Sequence, residues 1–476
     1  MAEPTQWYVD SSSGSDNNVG NKTGAAAATG STADVDPAAN ELTQAGAFSS
    51  YTHTAGDKLR IYYGGSLGGA TAGIYTVNSK TDSNTVVLGS SPGDSMMAGD
   101  VGWAINGAWA TAKYAIETGV TGLHGGKDTV NGDQINLKGS FTPSATIDIS
   151  NLGAASTAHV PMILRGYSST KNDGGVATLS GSGTRSIITA ANSAAGGRFN
   201  CYCDLTFENC GSNHVVQVAD KNFFVRCSFK TNTTDGMKCT LNNVIYGCFF
   251  HKLGGAGTYA LNMSDKQNIV MCCTFDKDTT TPDAMIKVTG DPATMLINNI
   301  IKVDGTTNGV QNGASKLIMV GNSVASVGGT GTAVTGGAGA RQITLINNAV
   351  QGFSGLGGIG YDIRDNWNVM VFAGNTAYNN TKHYMAQSKS DEGDHGDVFL
   401  DIGDNEALGG VSPIFADISA GTDDFTPEDV GNMIAGAFPT TFLGLSLTNY
   451  KDKGALDKQS GGGATGSASW SSTGMF

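Results

Sequence analysis

The stretches NNVIYGCFFHKL (242–253), QNIVMCCTFDKD (267–278), TMLINNIIKVDG (294–305) and LIMVGNSVASVG (317–328) are variations on one theme. Each centres on a Cys or Asn (Cys248, Cys273, Asn299, Asn322) with an apolar residue two places before and two places after. Working outward, the column extends back to Cys227 and Cys203 and forward to Asn348 and Asn375, at intervals of 21 to 27 residues. A period of this length, sustained over that many copies, marks a solenoid in which each copy is one coil.

The column before the centre holds Cys201, Val225, Tyr246, Met271, Ile297, Val320, Ile346 and Ala373, and the column after it holds Leu205, Phe229, Phe250, Phe275, Ile301, Val324, Val350 and Ala377. Residues two apart on a strand share a face, so all three columns are expected to point inward. A single coil is too short to bury an apolar face alone. Coils stacked about 4.8 Å apart join their strands into long parallel sheets around a continuous interior. The expected fold is all-β, a right-handed parallel β-helix. An inward Asn is costly unless its amide is paired, and a vertical stack pairs each amide with those above and below. Cys fills the same niche as a compact hydrophobe with a weak S–H donor.

Composition agrees with a solenoid. The chain has 476 residues, 68 of them Gly and only 10 Pro, with charged residues at 14% against about 25% in ordinary soluble domains. Its surface is therefore expected to be mostly Ser, Thr, Asn and Gly. A net charge of −13 argues against nucleic acid and anionic membranes as partners, which need clustered Lys and Arg. The first residues, MAEPTQWYVDSSSGSDNN, have no basic stretch followed by an apolar core, so no classical secretion signal is expected, and no apolar run approaches a membrane span. All eight Cys fall between Cys201 and Cys273. Neighbours on stacked coils are too far apart for good disulfide geometry, so free thiols and folding in a reducing cytoplasm are expected. No His stands at zinc-ligand spacing to them.

Five segments follow from a pass along the chain. Residues 1–106 hold a short N-terminal strand, an irregular Ala/Gly/Thr-rich stretch and a small β insert over 48–88. In the insert Leu59, Ile61 and Tyr63 alternate ahead of GIYTV and TVVL. In 107–131, Trp109, Ala112, Ala115 and Ile116 lie on one helical stripe, predicting a helix over 109–118 that caps the open end of the core. Residues 132–380 are the β-helix, opening with Ile135 and Leu137 inward. Residues 381–459 hold an acidic loop and further β coils. Residues 460–476 form a Gly/Ser-rich tail with an apolar end, Trp470, Met475 and Phe476, suited to docking on a neighbouring subunit.

On YVDSSSGSDNN (8–18), WATAKYAI (109–116), GDQINLKGSF (132–141), the ladder, and the closing SPIF, DDFTP and DKGALD stretches, the chain resembles the right-handed parallel β-helix repeat proteins of the pectate-lyase-like superfamily. The resemblance spans about two thirds of the chain and implies fold more than function, because such folds carry many activities. The insert makes it look like members from tailed phages and environmental viruses.

Catalytic motifs are sparse. Arg165, Arg185, Arg198, Arg226, Arg341 and Arg364 are scattered singly, and nothing resembles the paired Arg of pectate lyases. A hydrolase would gather carboxylates on one outer sheet, for which Asp204 and Glu208 beside Arg226 are the candidates. No catalytic residue and no organic cofactor is assigned. Asp391, Asp394, Asp397 and Asp401, around His395, offer hard oxygen ligands in a Gly-containing loop, and calcium is the ion they would suit. Tyr361 and Trp367 could stack on sugars or cover the sheet. The expected function is a structural virion protein of a tailed phage, made in the host cytoplasm: a capsid decoration (cement or spike) protein. It would be homotrimeric and non-catalytic, with the major capsid protein or another virion protein as partner. The alternatives are a tailspike that binds or cleaves host surface polysaccharide, and a secreted carbohydrate-active enzyme (lyase or glycoside hydrolase) or adhesin.

Overall fold

The computed structural model describes residues 6–408 apart from 64–69, 95–96, 119–132, 150–161, 184, 190–199, 212–213, 219, 266, 279, 290–292, 314–315, 337–341, 364–368, 387–399 and 404–405, and beyond them the short strands 415–417, 424–427, 441–442 and 445–446. The chain forms two compact units, one of Met1–Ser180 with Thr189–Leu205 and one of Gly181–Ile188 with Thr206–Phe476.

In the first unit the strand Gln6–Asp10 pairs in parallel with Gln134–Lys138, which pairs with Ile163–Tyr167, which pairs with Cys201–Cys203. Ile135 and Leu137 are fully buried. Between the first two of these strands lies a closed six-stranded antiparallel barrel built from Ala28–Asp36, Glu41–Thr43, Thr85–Leu88, Gly73–Lys80, Lys58–Tyr63 and Met97–Ile105. The alternation read in Leu59 and Ile61, Tyr75 and Val77, and Val86 and Leu88 is the barrel core, which closes on Phe48 and Trp103. Ala28–Asp36, in the stretch expected to be irregular, is a strand. Only Ala33 and Val35 of ATGSTADVD are buried, so little apolar alternation marks it.

The capping α-helix over 109–118 does not form. Trp109 is held as extended backbone against the N-terminal strand, its N–H donating to Tyr8 O at 3.0 Å and its carbonyl accepting from Asp10 N at 2.8 Å. One Asp16 carboxylate oxygen takes the amides of Ala110 and Thr111 at 3.0 and 2.9 Å. Helical winding therefore starts three residues late, at Ala112, and after Lys113 widens into a π-type turn, Tyr114–Thr118. The stripe itself is buried as the pattern required: Trp109, Ala112, Ala115 and Ile116 are all at most 2% exposed, with Trp109 stacked on Trp7 at 5.4 Å.

The second unit is a parallel β-helix of three sheets. The first sheet runs from Phe223–Val225 to Leu400–Gly403, the second from Val216–Val218 to Lys382–Ala386, and the third from Leu205–Cys210 to Glu406–Leu408. Strands of one sheet come from successive coils, and their pairings are parallel with the repeat residues in register, for example Phe229 with Phe250 and Phe250 with Phe275. The rings of Phe207, Phe229, Phe250 and Phe275 stack at 5.4, 4.7 and 4.5 Å. Phe224, Ile245, Val270, Leu296, Met319, Leu345 and Phe372 fill the interior from the first sheet.

A further expectation is overturned. The column two places before the ladder does not face inward: Val225, Tyr246, Met271, Ile297, Val320 and Ile346 are half-buried on the outer face of the first sheet, while the residue three places before the ladder is the inward one. The cause is a left-handed residue immediately before each ladder position: Arg226, Gly247, Cys272, Asn298, Gly321, Asn347 and Gly374 have φ between 51° and 65°. Such a residue turns the chain from the first sheet to the third and breaks the two-residue alternation across the corner.

Candidate functional site

The inward ladder is a continuous hydrogen-bonded stack. Asn299 Nδ2 donates to Asn322 Oδ1 at 2.9 Å, Asn322 Nδ2 to Asn348 Oδ1 at 2.9 Å, and Asn348 Nδ2 to Asn375 Oδ1 at 3.0 Å. Each amide oxygen also takes a backbone N–H from the coil before, and each NH₂ reaches a carbonyl, such as Asn299 Nδ2 to Val270 O at 3.0 Å. Cys273 Sγ accepts from Cys248 N at 3.4 Å, and Cys227, Cys248 and Cys273 are 1% exposed. Cys203 stands elsewhere. Thr206 pairs with Ser228 and Phe207 with Phe229, so Leu205 is the residue two places before the inward aromatic of that coil, with its left-handed neighbour at Asp204 (φ 55°). Cys203 ends the preceding strand, and its Sγ lies 3.4 Å from Cys201 Sγ. The Cys201 hydrogen bond, working against burial and helped by the Arg165 guanidinium, pulls the Cys203 thiol down to about 7. None of the eight Cys is in a disulfide.

A second ladder lies five places before the first. Asn222 N donates to Asn243 Oδ1 at 3.0 Å and Asn243 N to Asn268 Oδ1 at 3.0 Å, with all three residues fully buried. Sequence reasoning passed over it, although Asn222, Asn243 and Asn268 repeat at the spacing of Cys227, Cys248 and Cys273.

Titratable side chains gather in two places on the outside of the second unit. On the third sheet, Glu208, Lys230, His251, Asp276 and Lys302 occupy one register row. His251 Nδ1 is 3.0 Å from Asp276 Oδ2 and its Nε2 is 3.7 Å from Asp278 Oδ2; Lys252 Nζ meets Asp278 Oδ2 at 2.6 Å, and Lys277 pairs with Asp304. The Phe249 ring stacks on the His251 ring at 5.5 Å. Asp276 and Asp278 stand partly exposed, Asp276 against the His251 ring and Asp278 against Lys252, so the row is a network of charged and polar side chains linking adjacent coils. Its signal in the sequence was the residue three places after each ladder position.

The other place is Asp235, at the corner before Met237–Cys239. Its buried carboxylate accepts from Tyr259 N at 2.8 Å and Asn262 Nδ2 at 2.9 Å, with His214 Nδ1 at 3.3 Å. Burial would raise its pKa, but the hydrogen bonds from His214, Asn262 and Tyr259 outweigh that and lower it. These partners tie adjacent coils together, which makes Asp235 a structural pin.

The remaining candidates divide between these places and residues that carry no description. Asp204 is 4% exposed with Arg165 Nε 3.8 Å from its Oδ2, and Glu208 stands in register with Lys230. Tyr361 is not a surface aromatic: it is fully buried, stacks on Tyr384 at 5.3 Å and donates its hydroxyl to Asn348 O at 3.0 Å. It belongs to the inner face because Val334, Tyr361 and Tyr384 share one inward row of the second sheet. Asp391, Asp394, Asp397, His395, Trp367, Trp470, Met475 and Phe476 lie outside the described residues, and of Asp401 only the backbone is described, in the strand Leu400–Gly403. Among the described residues no three His, Cys, Asp or Glu side chains gather as ligands for a metal ion.

No protein-family model and no curated protein matches the chain. Among solved structures it is similar to the catalytic domain of a GH87 alpha-1,3-glucanase in complex with tetrasaccharides, at 10% identity over 80% of this chain and 93% of that one, with a TM-score of 0.25. That likeness is too distant to carry an argument; the parallel β-helix rests on the strand pairing itself.

Proposed function

We propose that this chain is a structural protein of a virus particle: a homotrimeric, non-catalytic β-helical capsid decoration protein, made in a host cytoplasm. The observation that carries the reading is the thiol inventory. Eight Cys, six of them buried and none in a disulfide, suit a protein that completes its fold in a reducing compartment. The ladders and the ring stack spend the interior on rigidity, and the outer carboxylates with described contacts are committed to neighbouring cations or backbone amides. A β-helix grows by adding coils, which suits attachment and display.

The second reading is a tailspike that grips host surface polysaccharide. The row Glu208, Lys230, His251, Asp276 and Lys302, with Phe249 stacked beside it, favours this reading. A mass-spectrometric inventory of purified particles separates the two. Hundreds of copies per particle support decoration, a few to a few tens support a tailspike, and absence from particles overturns both.

A further inference from the structure

The outer face of the first sheet in the β-helix carries two adjacent rows of apolar side chains. One row is Phe223, Val244, Ile269, Met295, Ile318, Thr344 and Val371; the other is Val225, Tyr246, Met271, Ile297, Val320, Ile346 and Ala373. Thirteen of these fourteen residues are partly or well exposed, with Phe223 at 42% and Met295 at 37%, and Thr344 and Tyr246 are the only two that carry a polar atom able to hydrogen-bond through oxygen. None is charged. Seven coils at about 4.8 Å make a stripe about 30 Å long. Parallel sheets of this composition are ordinarily covered on both faces, and an apolar stripe of this extent marks an interaction surface.

We infer that this stripe is where a second copy of the chain docks, so that copies assemble side by side along it. The inference rests on the oligomeric part of the function proposed above and names its surface. Three features select another copy as the occupant. The rows repeat with the coil spacing over their length, and identical stripes present rows of matching pitch, so three of them gathered about one axis set one row of each copy against the other row of the next. The chain carries a net charge of −13, so like copies repel except where the approaching faces are uncharged, as these are. Fourteen stripe residues, together with the half-buried Ser228, Phe249, Thr274 and Ile300 at the adjoining edge of the third sheet, approach the roughly 20 residues a side of a stable interface. A sugar would need convergent polar groups that the stripe does not offer, and an anionic membrane would need a basic rim.

The test is the oligomeric mass of the full chain by light scattering after size exclusion, across a dilution series, with far-ultraviolet circular dichroism as the fold check. Wild type should run as an oligomer. The triple variant Met271→Lys, Ile297→Lys, Val320→Lys should raise the dissociation constant at least about 100-fold with an unchanged spectrum, while Gln311→Lys with Thr335→Lys, on the outer row of the second sheet, should leave assembly intact. Should the triple variant lose its β spectrum, Met295→Glu alone, at the well-exposed position, reads the same effect as a shift of the dilution midpoint. A monomeric wild type overturns the inference, and so does a folded stripe variant that assembles as wild type does. An oligomer that dissociates as expected but is missing from particles leaves the interface standing and removes the virion reading.

Discussion

Replacing Asn322 by Ala tests the ladder where its hydrogen bonding is most complete. The Asn322 amide oxygen takes Asn299 N at 3.0 Å and Asn299 Nδ2 at 2.9 Å, and its NH₂ donates to Asn348 Oδ1 and Leu296 O, both at 2.9 Å. After Asn322→Ala, Asn299 Nδ2 keeps Val270 O and Asn348 Oδ1 keeps Asn322 N. The Asn299 N–H and the Leu296 carbonyl lose the side-chain partner that met them. The Leu296 carbonyl stays in the parallel ladder of Ile297 with Val320, so the cost falls on the buried Asn299 N–H, about 1 to 3 kcal/mol. Cys248→Ala is the comparison. Its thiol reaches Phe224 O and Tyr246 O only at 3.6 and 3.5 Å, and its loss is chiefly the removal of a small buried group, about 1 kcal/mol. Guanidinium unfolding should therefore rank Asn322→Ala below Cys248→Ala in midpoint. Hydrogen exchange should show the Asn299 amide opening about 30-fold faster, the factor for about 2 kcal/mol. Equal midpoints together with an Asn299 amide as protected as in wild type would refute the reasoning.

Three further outcomes are expected. Asp57 is buried, which alone would raise its pKa, but Lys22, the Thr54 amide, the Tyr51 hydroxyl and Asn106 hold it at about 2. A depressed folded value gives stability that is present above the unfolded value of about 4 and is lost as pH falls towards 2, amounting to about 2.5 kcal/mol; Trp103 fluorescence should report barrel loosening across that window in wild type, and Asp57→Asn should flatten it. Iodoacetamide at pH 8 should modify the partly exposed Cys201 and Cys272 in the native protein and spare Cys239, whose thiol burial pushes up to about 12, while all eight Cys should react once the chain is unfolded; a Cys239 modified at the Cys201 rate would contradict the buried assignment. Phe250→Ala, which removes the middle ring of a stack with 4.7 and 4.5 Å spacings, should cost about 3 to 5 kcal/mol in chemical unfolding, and a loss under about 1 kcal/mol would mean the rings carry little.

The β-helix was legible in the sequence because its column is set by chemistry that tolerates few residue types. An inward corner that needs a small side chain and accepts an amide only in a stack leaves Cys, Asn and little else. What was not legible is the geometry of that corner. The left-handed residue ahead of each column position varies among Arg, Gly, Cys and Asn, so no single residue type announces it, and counting by two across it assigned the outer apolar row to the core. The same corner explains Cys203: Asp204 carries the left-handed conformation, which puts Leu205 rather than Cys203 ahead of Phe207. The cap failed for a different reason. Trp109, Ala112, Ala115 and Ile116 are buried at helical spacing, but the backbone around Trp109 was already claimed by Tyr8, Asp10 and Asp16, contacts about 100 residues distant in sequence that no local periodicity carries. The candidate site suffered most, since the charged row on the third sheet becomes visible only when coils of unequal length are laid in register.

The two halves of the ladder hold that register by different means. Where the column is Cys, the residue two places on is Phe229, Phe250 or Phe275, and the coils are keyed by stacked rings. Where it is Asn, that residue shrinks to Ile301, Val324, Val350 or Ala377, and the coils are keyed by amides. The exchange happens between Cys273 and Asn299, where Asn299 Oδ1 takes the backbone N–H of Cys273 at 2.9 Å and no side-chain amide stands above it. A register slip by one residue on either side would turn every inward side chain out, but it would be opposed by ring contacts on one side and by unsatisfied amides on the other. Because each coil touches only its neighbours, stability along such a rod is a sum of these contacts. The outer stripe of the first sheet runs across both halves, so the docking inferred for it requires the two devices to set the same coil spacing, because only then do its rows keep one pitch from Phe223 to Val371.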